Sequence, residues 1–276
     1  MKKLLFGTAG IPISTIDYST LHGIKRVRTL GLDAMELEFV RSVNISKEKA
    51  PEVKKTAKKE DVVLSCHAPY FINLNAVEKH KVKASINRIV QSAMITSLCG
   101  GKNVVFHAGF FLKMNPEKVY KNILNGIEEV RRILDEEGID IKLRPETTGK
   151  KTQFSGLKDL LRISAEVEGV MPCVDFAHMH ARTAGKNNTT EEFREMLSQI
   201  ENSLGKEGLR NMHIHLAGIN YTDKGERNHL ILEDSDMNYE DLLKVWNEFR
   251  IAGTVICESP NIEEDAILLQ KYYRSI

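Results

Sequence analysis

The sequence predicts an α/β protein that folds as a single (β/α)8 (TIM) barrel over residues 1–276. Eight apolar, β-branched runs recur along the chain, and stretches with helical periodicity lie between most of them. No linker-like composition interrupts the series. Such alternation implies a parallel sheet, and eight units within 276 residues fit a closed barrel better than an open sheet.

The predicted strands are short apolar runs. They span Leu4–Thr8, Ala34–Val40, Val62–Ala68, Asn103–Ala108, Ile141–Glu146, Met171–Ala177, Met212–Ala217 and Thr254–Glu258. No Gly-x-Gly-x-x-Gly turn follows the first of these runs, and the chain has no Walker A motif. Both absences argue against a nucleotide-binding doubly wound sheet.

The predicted helices carry apolar residues at helical spacing. They span Glu78–Leu98, Pro116–Glu137, Leu157–Val167, Thr190–Leu204, Tyr239–Phe249 and Ile262–Tyr273. Asn115 is positioned as an N-cap, and Thr189 or Thr190 precedes two glutamates in the same role. Gly100 and Gly138 stand where helices should end.

Composition and charge limit the classes of function. The 39 Lys and Arg residues against 38 Asp and Glu residues leave a net charge of +1, which excludes indiscriminate coating of nucleic acid but allows a local basic patch. The apolar run before Gly7 is too short for a signal peptide. Four cysteines lie far apart without a Cys-x-x-Cys pair. We therefore expect a monomeric cytoplasmic protein with reduced thiols and no membrane partner.

Chemically active side chains collect where the predicted strands end, which is the active-site face of a barrel. Histidine, aspartate or glutamate ends six consecutive strands or follows them, at His67, His107, Glu146, Asp175, His178, His215, His229 and Glu258. One such residue alone is more often a satisfied polar group, but the combined set of imidazoles and carboxylates is typical of zinc or manganese sites. Eight candidates exceed the three or four ligands of one ion, so we expect two or three clustered ions, with Glu146 placed to bridge them.

Strand alternation predicts which side chains face the barrel interior. His213 and His215 share a face, so both can point inward. Cys66 and Cys257 adjoin inward-facing residues and should face the helices, whereas Cys173 should lie in the barrel core. No Ser or Cys stands in a triad arrangement with His and an acid, so nucleophilic catalysis is weakly supported.

An ordered set of short motifs runs from about the second strand to the eighth. The motifs are SCHAPY, VFHAG, PETTG, VDFAH, HL at His215 and ESP at Glu258, and the segments MELEFVR and RPET look most like archaeal or thermophile proteins. Together the motifs resemble the endonuclease IV family of apurinic/apyrimidinic (AP) endonucleases, which act in base-excision repair. Each motif alone is weak, but their order is specific.

The resemblance implies a TIM barrel that carries three zinc ions, for which Mn2+ is an alternative. By motif, the first ion would be held by His67 and His107, the second by Asp175, His215 and Glu258, and the third by His178 and His229, with Glu146 bridging the first two. The implied reaction is hydrolysis of the phosphodiester 5′ to an abasic site in duplex DNA, leaving a 3′-OH. An activated hydroxide would attack phosphorus, and Glu146 and Glu258 would be the catalytic carboxylates.

The segment after the seventh strand departs from the family pattern. The family has Asp-Arg-His there, whereas this chain reads Gly225-Glu226-Arg227-Asn228-His229. Glu226 is one residue farther from the histidine and one methylene longer. We take Glu226 as the carboxylate ligand of the third ion, with Asp223 and Asn228 as the other candidates.

The resemblance also implies contacts to a duplex whose abasic nucleotide is flipped out. Arg41 and the pair Tyr70 and Phe71 correspond to the residues that enter the duplex. Lys150 and Arg182 are candidate phosphate contacts. Without the family match, the aromatics would be loop-packing residues and the two cations solvated surface charges.

A metal-dependent sugar isomerase or epimerase on the same barrel is the alternative function. It needs Glu146, Asp175, one histidine of the seventh strand and Glu258 around a single ion, and all of these are present. The residues that such an enzyme does not need as ligands are His67, His107, His178 and His229. Arg41 with Tyr70 and Phe71 also suits a duplex better than a small sugar.

Overall fold

The structure, a computed structural model, describes residues 3–276, within which eight parallel strands form a barrel surrounded by helices. The barrel strands are β1 Leu4–Ala9, β2 Ala34–Glu38, β3 Val63–His67, β4 Asn103–Phe106, β6 Lys142–Pro145, β8 Cys173–Asp175, β9 Met212–Leu216 and β12 Gly253–Cys257. Two short pairs lie outside the barrel: β5 Gly109–Phe110 with β7 Gln153–Phe154, and β10 Gly218–Thr222 with β11 Gly225–Leu230.

The strands follow one another around the barrel in the order β6-β4-β3-β2-β1-β12-β9-β8. Parallel bridges Leu143–Val170 and Glu146–Cys173 then join the two ends of this series. The predicted (β/α)8 barrel is therefore confirmed, and the carboxyl ends of the strands meet at one mouth.

The helices form the outer layer. They are α1 Thr20–Thr29, α2 Ala50–Glu60, α3 Lys79–Leu98, α4 Pro116–Glu136, α5 Leu157–Glu166, α6 Phe176–Arg182, α7 Thr190–Arg210, α8 Tyr239–Glu248 and α9 Glu263–Ser275. The predicted caps are confirmed: the Asn115 side chain accepts from two backbone amides of α4, and Thr189 forms a capping box with Glu192. Across residues 3–276, no helix has both the length and the apolarity to cross a membrane.

Two predicted elements differ most in extent from the observed ones. The sixth strand stops at Asp175 rather than Ala177, because the Asp175 carboxylate accepts a hydrogen bond from the His178 amide (2.7 Å) and starts α6. The helix that begins at Thr190 continues past a break at Gly205, whose φ is 65°, to Arg210. The β10–β11 hairpin was not predicted.

The apolar core lies mainly between the strands and the helices. Cys66 faces this layer as predicted, with its Sγ 4.0 Å from the Ser92 carbonyl oxygen of α3, and all four cysteines are free and buried. The space inside the barrel is more polar. Its amino-terminal end holds Arg144, which is only 1% exposed.

Arg144 closes the bottom of the barrel through hydrogen bonds to neutral groups. Its guanidinium donates to Asn103 Oδ1 (2.7 Å), to Asn211 Oδ1 (3.1 Å) and to the Asn211 carbonyl oxygen (3.0 Å). Burial lowers the pKa of Arg144 to about 10, so the side chain still carries its charge at neutral pH. The hydrogen bonds compensate the desolvation of that charge.

Replacing Arg144 by Met should lower the free energy of unfolding by about 2–4 kcal/mol, because partly buried acceptors on Asn103 and Asn211 lose their donor. Urea denaturation followed by circular dichroism measures this change. The control Arg132→Met removes the exposed ion pairs of Arg132 with Glu129 and Glu136 and should leave the midpoint nearly unchanged. Equal midpoints for the two variants would contradict the role given to Arg144.

Candidate metal centre

The carboxylate of Glu146 lies at the centre of the barrel mouth and is fully buried. One oxygen, Oε2, is 3.1 Å from His67 Nε2 and 3.0 Å from His107 Nε2. The other, Oε1, is 3.2 Å from His178 Nδ1 and 3.3 Å from His215 Nδ1. Four histidines from four different segments thus converge on one carboxylate.

The ligand atoms form three adjoining groups, and within each group they lie within 4.8 Å of one another. The groups are His67–His107–Glu146, Glu146–Asp175–His215–Glu258, and Asp175–His178–His229–Glu258. The first two coincide with the ligand sets that the family resemblance implies for the first and second ions. The third contains the two histidines expected for the third ion.

The spacing and the donor set fit metal ions. Two ligands that hold one tetrahedral ion at about 2.0–2.1 Å lie about 3.3–3.4 Å apart, close to the separations of Glu146 from His67, His107 and His215. Asp175 Oδ2 is buried and makes no hydrogen bond within residues 3–276. His178 Nδ1 lies 3.1 Å from this oxygen without an aligned hydrogen bond, and a cation would satisfy a buried carboxylate oxygen in such a position.

Backbone carbonyl groups fix the orientation of three of these histidines. Nδ1 of His67 bonds the Ala68 carbonyl oxygen (2.8 Å), Nδ1 of His178 that of Thr147 (2.9 Å), and Nδ1 of His229 that of Glu258 (3.2 Å). Each contact favours a hydrogen on Nδ1, so Nε2 is the nitrogen that is available to a cation at the centre. Such bonds are usual for metal-binding histidines.

Without cations the cluster balances its charge with protons. Burial raises the pKa of Glu146, but His107 and His215 outweigh it and hold that pKa well below its usual value. Burial lowers the pKa of His67, but the hydrogen bond to Glu146 raises it to about 9. Burial raises the pKa of Asp175 to about 6 and that of Glu38, which faces His67 and Glu258, to about 8. Bound cations would displace these protons.

A β-bulge brings Glu226 to the third group. In the β10–β11 hairpin, Asn220 pairs with Asn228 and Tyr221 pairs with Glu226, so Arg227 is an extra, bulged residue. Because of the bulge, Glu226 and His229, which are three positions apart, lie on the same face of the hairpin. Glu226 Oε2 lies 3.6 Å from His178 Nε2, and His229 Nε2 lies 3.4 Å from the same atom. Asp223 and Asn228 are exposed.

Two glycines permit the close approach of this hairpin to the loop after β6. A Cβ at Gly149 would lie 2.6 Å from Glu226 Cβ, and one at Gly225 would lie 2.3 Å from the Gly149 carbonyl oxygen. Gly225 also has a φ of +100°, which other residues rarely adopt. The position of Glu226 therefore depends on the absence of a side chain at Gly149.

The three predicted duplex-inserting residues lie in the loops that follow β2 and β3. Arg41 is exposed, and Tyr70 and Phe71 are 55% and 63% exposed. The Tyr70 amide donates to the Val40 carbonyl oxygen (3.3 Å), which ties the two loops together. The Tyr70 ring lies 5.6 Å from that of His67. Tyr70 and Phe71 are thus exposed, whereas the alternative interpretation expected them to be packed within their loop.

The two predicted phosphate contacts have different surroundings. Lys150 is exposed. Arg182 is partly buried, and its guanidinium donates to the carbonyl oxygens of Thr148, Lys150 and Gln153. These contacts hold Arg182 against the loop that carries Lys150, and its contact with phosphate stays a prediction.

The sequence reasoning left out a polar layer directly beneath the mouth. Glu36 is fully buried and accepts from Ser65 Oγ (2.6 Å) and His213 Nε2 (2.9 Å). Its position two residues before Glu38 on β2 is the parity signal that could have placed it inside the barrel. Cys173 also lies within 4.8 Å of ligand atoms of His213 and His215. Burial raises the pKa of its thiol far above neutrality, so Cys173 is a neutral filler of the core as predicted.

Glu226→Ala and Gly149→Ala should each reduce zinc by one ion per chain relative to the unaltered protein. The first substitution removes the carboxylate, and the added methyl group of the second displaces it. Elemental analysis after dialysis against a zinc buffer measures the ratio. Asn228→Ala serves as the control from the same hairpin and should not change it. If Asn228→Ala lost the ion instead, Glu226 would not be its ligand.

The chain resembles proteins of two functional classes. A family model described as xylose isomerase-like TIM barrel matches residues 24–276. An uncharacterized protein of Methanocaldococcus jannaschii is 45% identical over 273 residues, which cover 99% of this chain and 98% of that protein. A probable endonuclease 4 of Oceanobacillus iheyensis is 28% identical over 163 residues, covering 56% of this chain and 52% of that protein.

Solved structures share the fold. A D-tagatose 3-epimerase-like protein superimposes with a TM-score of 0.75 at 18% identity, covering 100% of this chain and 96% of the other. Endonuclease IV from Thermus thermophilus superimposes with a TM-score of 0.73 at 18% identity, covering 98% of each chain. At this identity the similarity describes the barrel alone.

Proposed function

Because this chain belongs to the xylose isomerase-like TIM barrel family, we propose that its mouth is a trinuclear zinc centre that cleaves DNA. The proposed reaction is hydrolysis of the phosphodiester 5′ to an abasic site in a duplex, and residues 1–276 act as one AP endonuclease-like domain. The observation that carries the proposal is Glu146, whose two oxygens each face a different pair of histidines. That arrangement supports bridged ions rather than a single one.

Each of the three proposed ions has its own set of ligands. His67 and His107 would hold the first, Asp175, His215 and Glu258 the second, and His178, His229 and Glu226 the third, with Glu146 shared between the first two. Bound ions would supply an activated water and stabilise charge on the departing 3′-oxygen. The chain itself fixes the ligand geometry, and the burial of Glu146 and Asp175 keeps competing water from these carboxylates.

Arg41, Tyr70 and Phe71 are proposed to select the substrate. An undamaged duplex keeps its bases stacked, whereas an abasic nucleotide is easily extruded and leaves a gap. Exposed aromatics can stack on the bases that flank this gap, and a guanidinium can pair with phosphate. Lys150, exposed in the loop after β6, is the proposed second phosphate contact.

A sugar epimerase is the second candidate, and a specific observation favours it. The group Glu146–Asp175–His215–Glu258 is by itself a complete site for one divalent ion. The barrel also superimposes on an epimerase-like protein as well as on an endonuclease. A single-ion epimerase leaves His67, His107, His178 and His229 without a metal to bind. For that reason we place endonuclease activity first.

A duplex with one abasic analogue distinguishes the two candidates. The unaltered protein should nick the strand 5′ to the analogue, and a chelator should stop the reaction. Glu146→Gln should abolish nicking, because an amide cannot bridge two cations, while Arg132→Met on the outer helix should cleave normally. Metal-dependent interconversion of ketohexoses without any nicking would favour the epimerase instead.

Tyr70→Ala should weaken binding of the abasic duplex by about 5–150-fold, which corresponds to about 1–3 kcal/mol of lost base stacking. The metal content should not change, because Tyr70 holds no ion in the proposed centre. Fluorescence anisotropy with a labelled duplex measures the affinity. The control Leu268→Ala truncates an apolar residue of similar exposure on α9 and should bind normally. Loss of zinc from Tyr70→Ala, with unchanged duplex affinity per loaded protein, would refute the assignment.

A further inference from the structure

The buried carboxylate of Glu36 contacts the metal centre from below through a single histidine. Glu36 Oε1 lies 2.8 Å from His215 Nε2. On the other side of the same ring, His215 Nδ1 lies 3.3 Å from both Glu146 Oε1 and Glu258 Oε1. Both Glu36 and His215 are fully buried, so no solvent competes for either nitrogen.

These two sets of distances have different physical meanings. Separations of 3.3 Å leave room for an ion that both ligands share, or for a long hydrogen bond, whereas 2.8 Å leaves no room for an ion between the atoms. Glu36 Oε1 and His215 Nε2 make no well-aligned hydrogen bond within residues 3–276, but at 2.8 Å a lone pair on Nε2 would face the negative charge of the carboxylate, so the contact favours a hydrogen on Nε2. The contacts of Glu36 with His213 and Ser65 are of the same short kind. Glu36 therefore belongs to a hydrogen-bonded layer and not to a deeper metal site with Cys173.

We propose that Glu36 is a positioning residue that holds the ring hydrogen of His215 on Nε2 and so presents Nδ1 to the second metal ion. The inference rests on the metal centre of the proposed function but not on its substrate. It applies equally to an endonuclease and to an epimerase, because His215 belongs to the ligand set that both would use.

His215 is oriented differently from its neighbours. His67, His178 and His229 direct Nδ1 to neutral carbonyl oxygens and face the centre with Nε2. His215 faces a carboxylate with Nε2 and the centre with Nδ1. A carboxylate partner makes the imidazole more electron-donating than a carbonyl does, so His215 should bind its ion more tightly than a carbonyl-bonded histidine would.

Glu36 can hold His215 because its second oxygen is already fixed. Oε2 accepts from Ser65 Oγ on the neighbouring strand β3 and from His213 Nε2 on β9, and these two hydrogen bonds set the plane of the carboxylate. Together with His215, all three partners of Glu36 act as donors in the proposed arrangement. Glutamine at this position offers one accepting oxygen and an amide group, so at least one N–H or O–H would face another donor.

Glu36→Gln should weaken zinc binding at one site by about 10–100-fold and leave the other sites unchanged. Stepwise affinities come from calorimetric titration of chelator-treated protein with Zn2+, and Co2+ absorption provides a second readout of the same site. Glu258→Gln identifies the affected step, because it removes a ligand of the second ion directly. Ser65→Ala is the matched control, since it removes one hydrogen bond to Glu36 but keeps its contact with His215, and its affinities should match those of the unaltered protein.

Nitrogen NMR of the zinc-loaded, unaltered protein tests the same point without relying on a variant that must fold. The His215 signals, assigned by their absence in His215→Gln, should show hydrogen on Nε2 and zinc on Nδ1. The reverse tautomer would overturn the inference, as would unchanged affinities in Glu36→Gln or equal losses in Ser65→Ala. Failure of the unaltered protein to bind zinc at the second site would instead remove the proposed metal centre, and with it this role of Glu36.

Discussion

Glu146 is the group on which the mouth of the barrel depends, because its carboxylate is fully buried and yet has four imidazoles around it. An isolated carboxylate in this position would be protonated or would destabilise the fold. The surrounding histidines reverse that tendency and keep Glu146 ionised. Each of the four histidines faces one of the two Glu146 oxygens, and this pairing describes how they are arranged around the carboxylate.

The sequence could predict this centre because a closed parallel barrel converts strand order into spatial proximity. His67, His107 and Glu146 are far apart in the chain, but each stands at or just after the carboxyl end of a strand, and β3, β4 and β6 are neighbours in the barrel. Two-residue alternation then selects the inward side chains. The same argument placed Cys66 against the helices, where it is found.

The elements that the sequence did not predict depend on contacts between distant residues. Glu226 reaches His178 only because Arg227 is bulged, and a bulge is defined by the pairing of two strands rather than by the composition of one. Asp175 ends its strand because its carboxylate caps α6. This side-chain hydrogen bond favours the start of a helix over continuation of the strand, and the spacing of apolar residues does not reveal it. Glu36 and His213 are separated by 177 residues, so their contact appears only once the barrel is closed.

The polar interior of the barrel is itself an argument for a site. Barrels of this kind usually fill with branched apolar side chains, which stabilise the fold without needing hydrogen-bond partners. This chain instead stacks Arg144 at the bottom, Glu36 with His213 in the middle, and the histidines of the mouth above them, while its apolar core lies mainly between strands and helices. Each polar layer limits how the layer above it can move. Imidazoles that must bind a cation within a few tenths of an ångström are oriented by the fixed hydrogen bonds beneath them, whereas apolar contacts, which have no preferred direction, would not set the ring orientation.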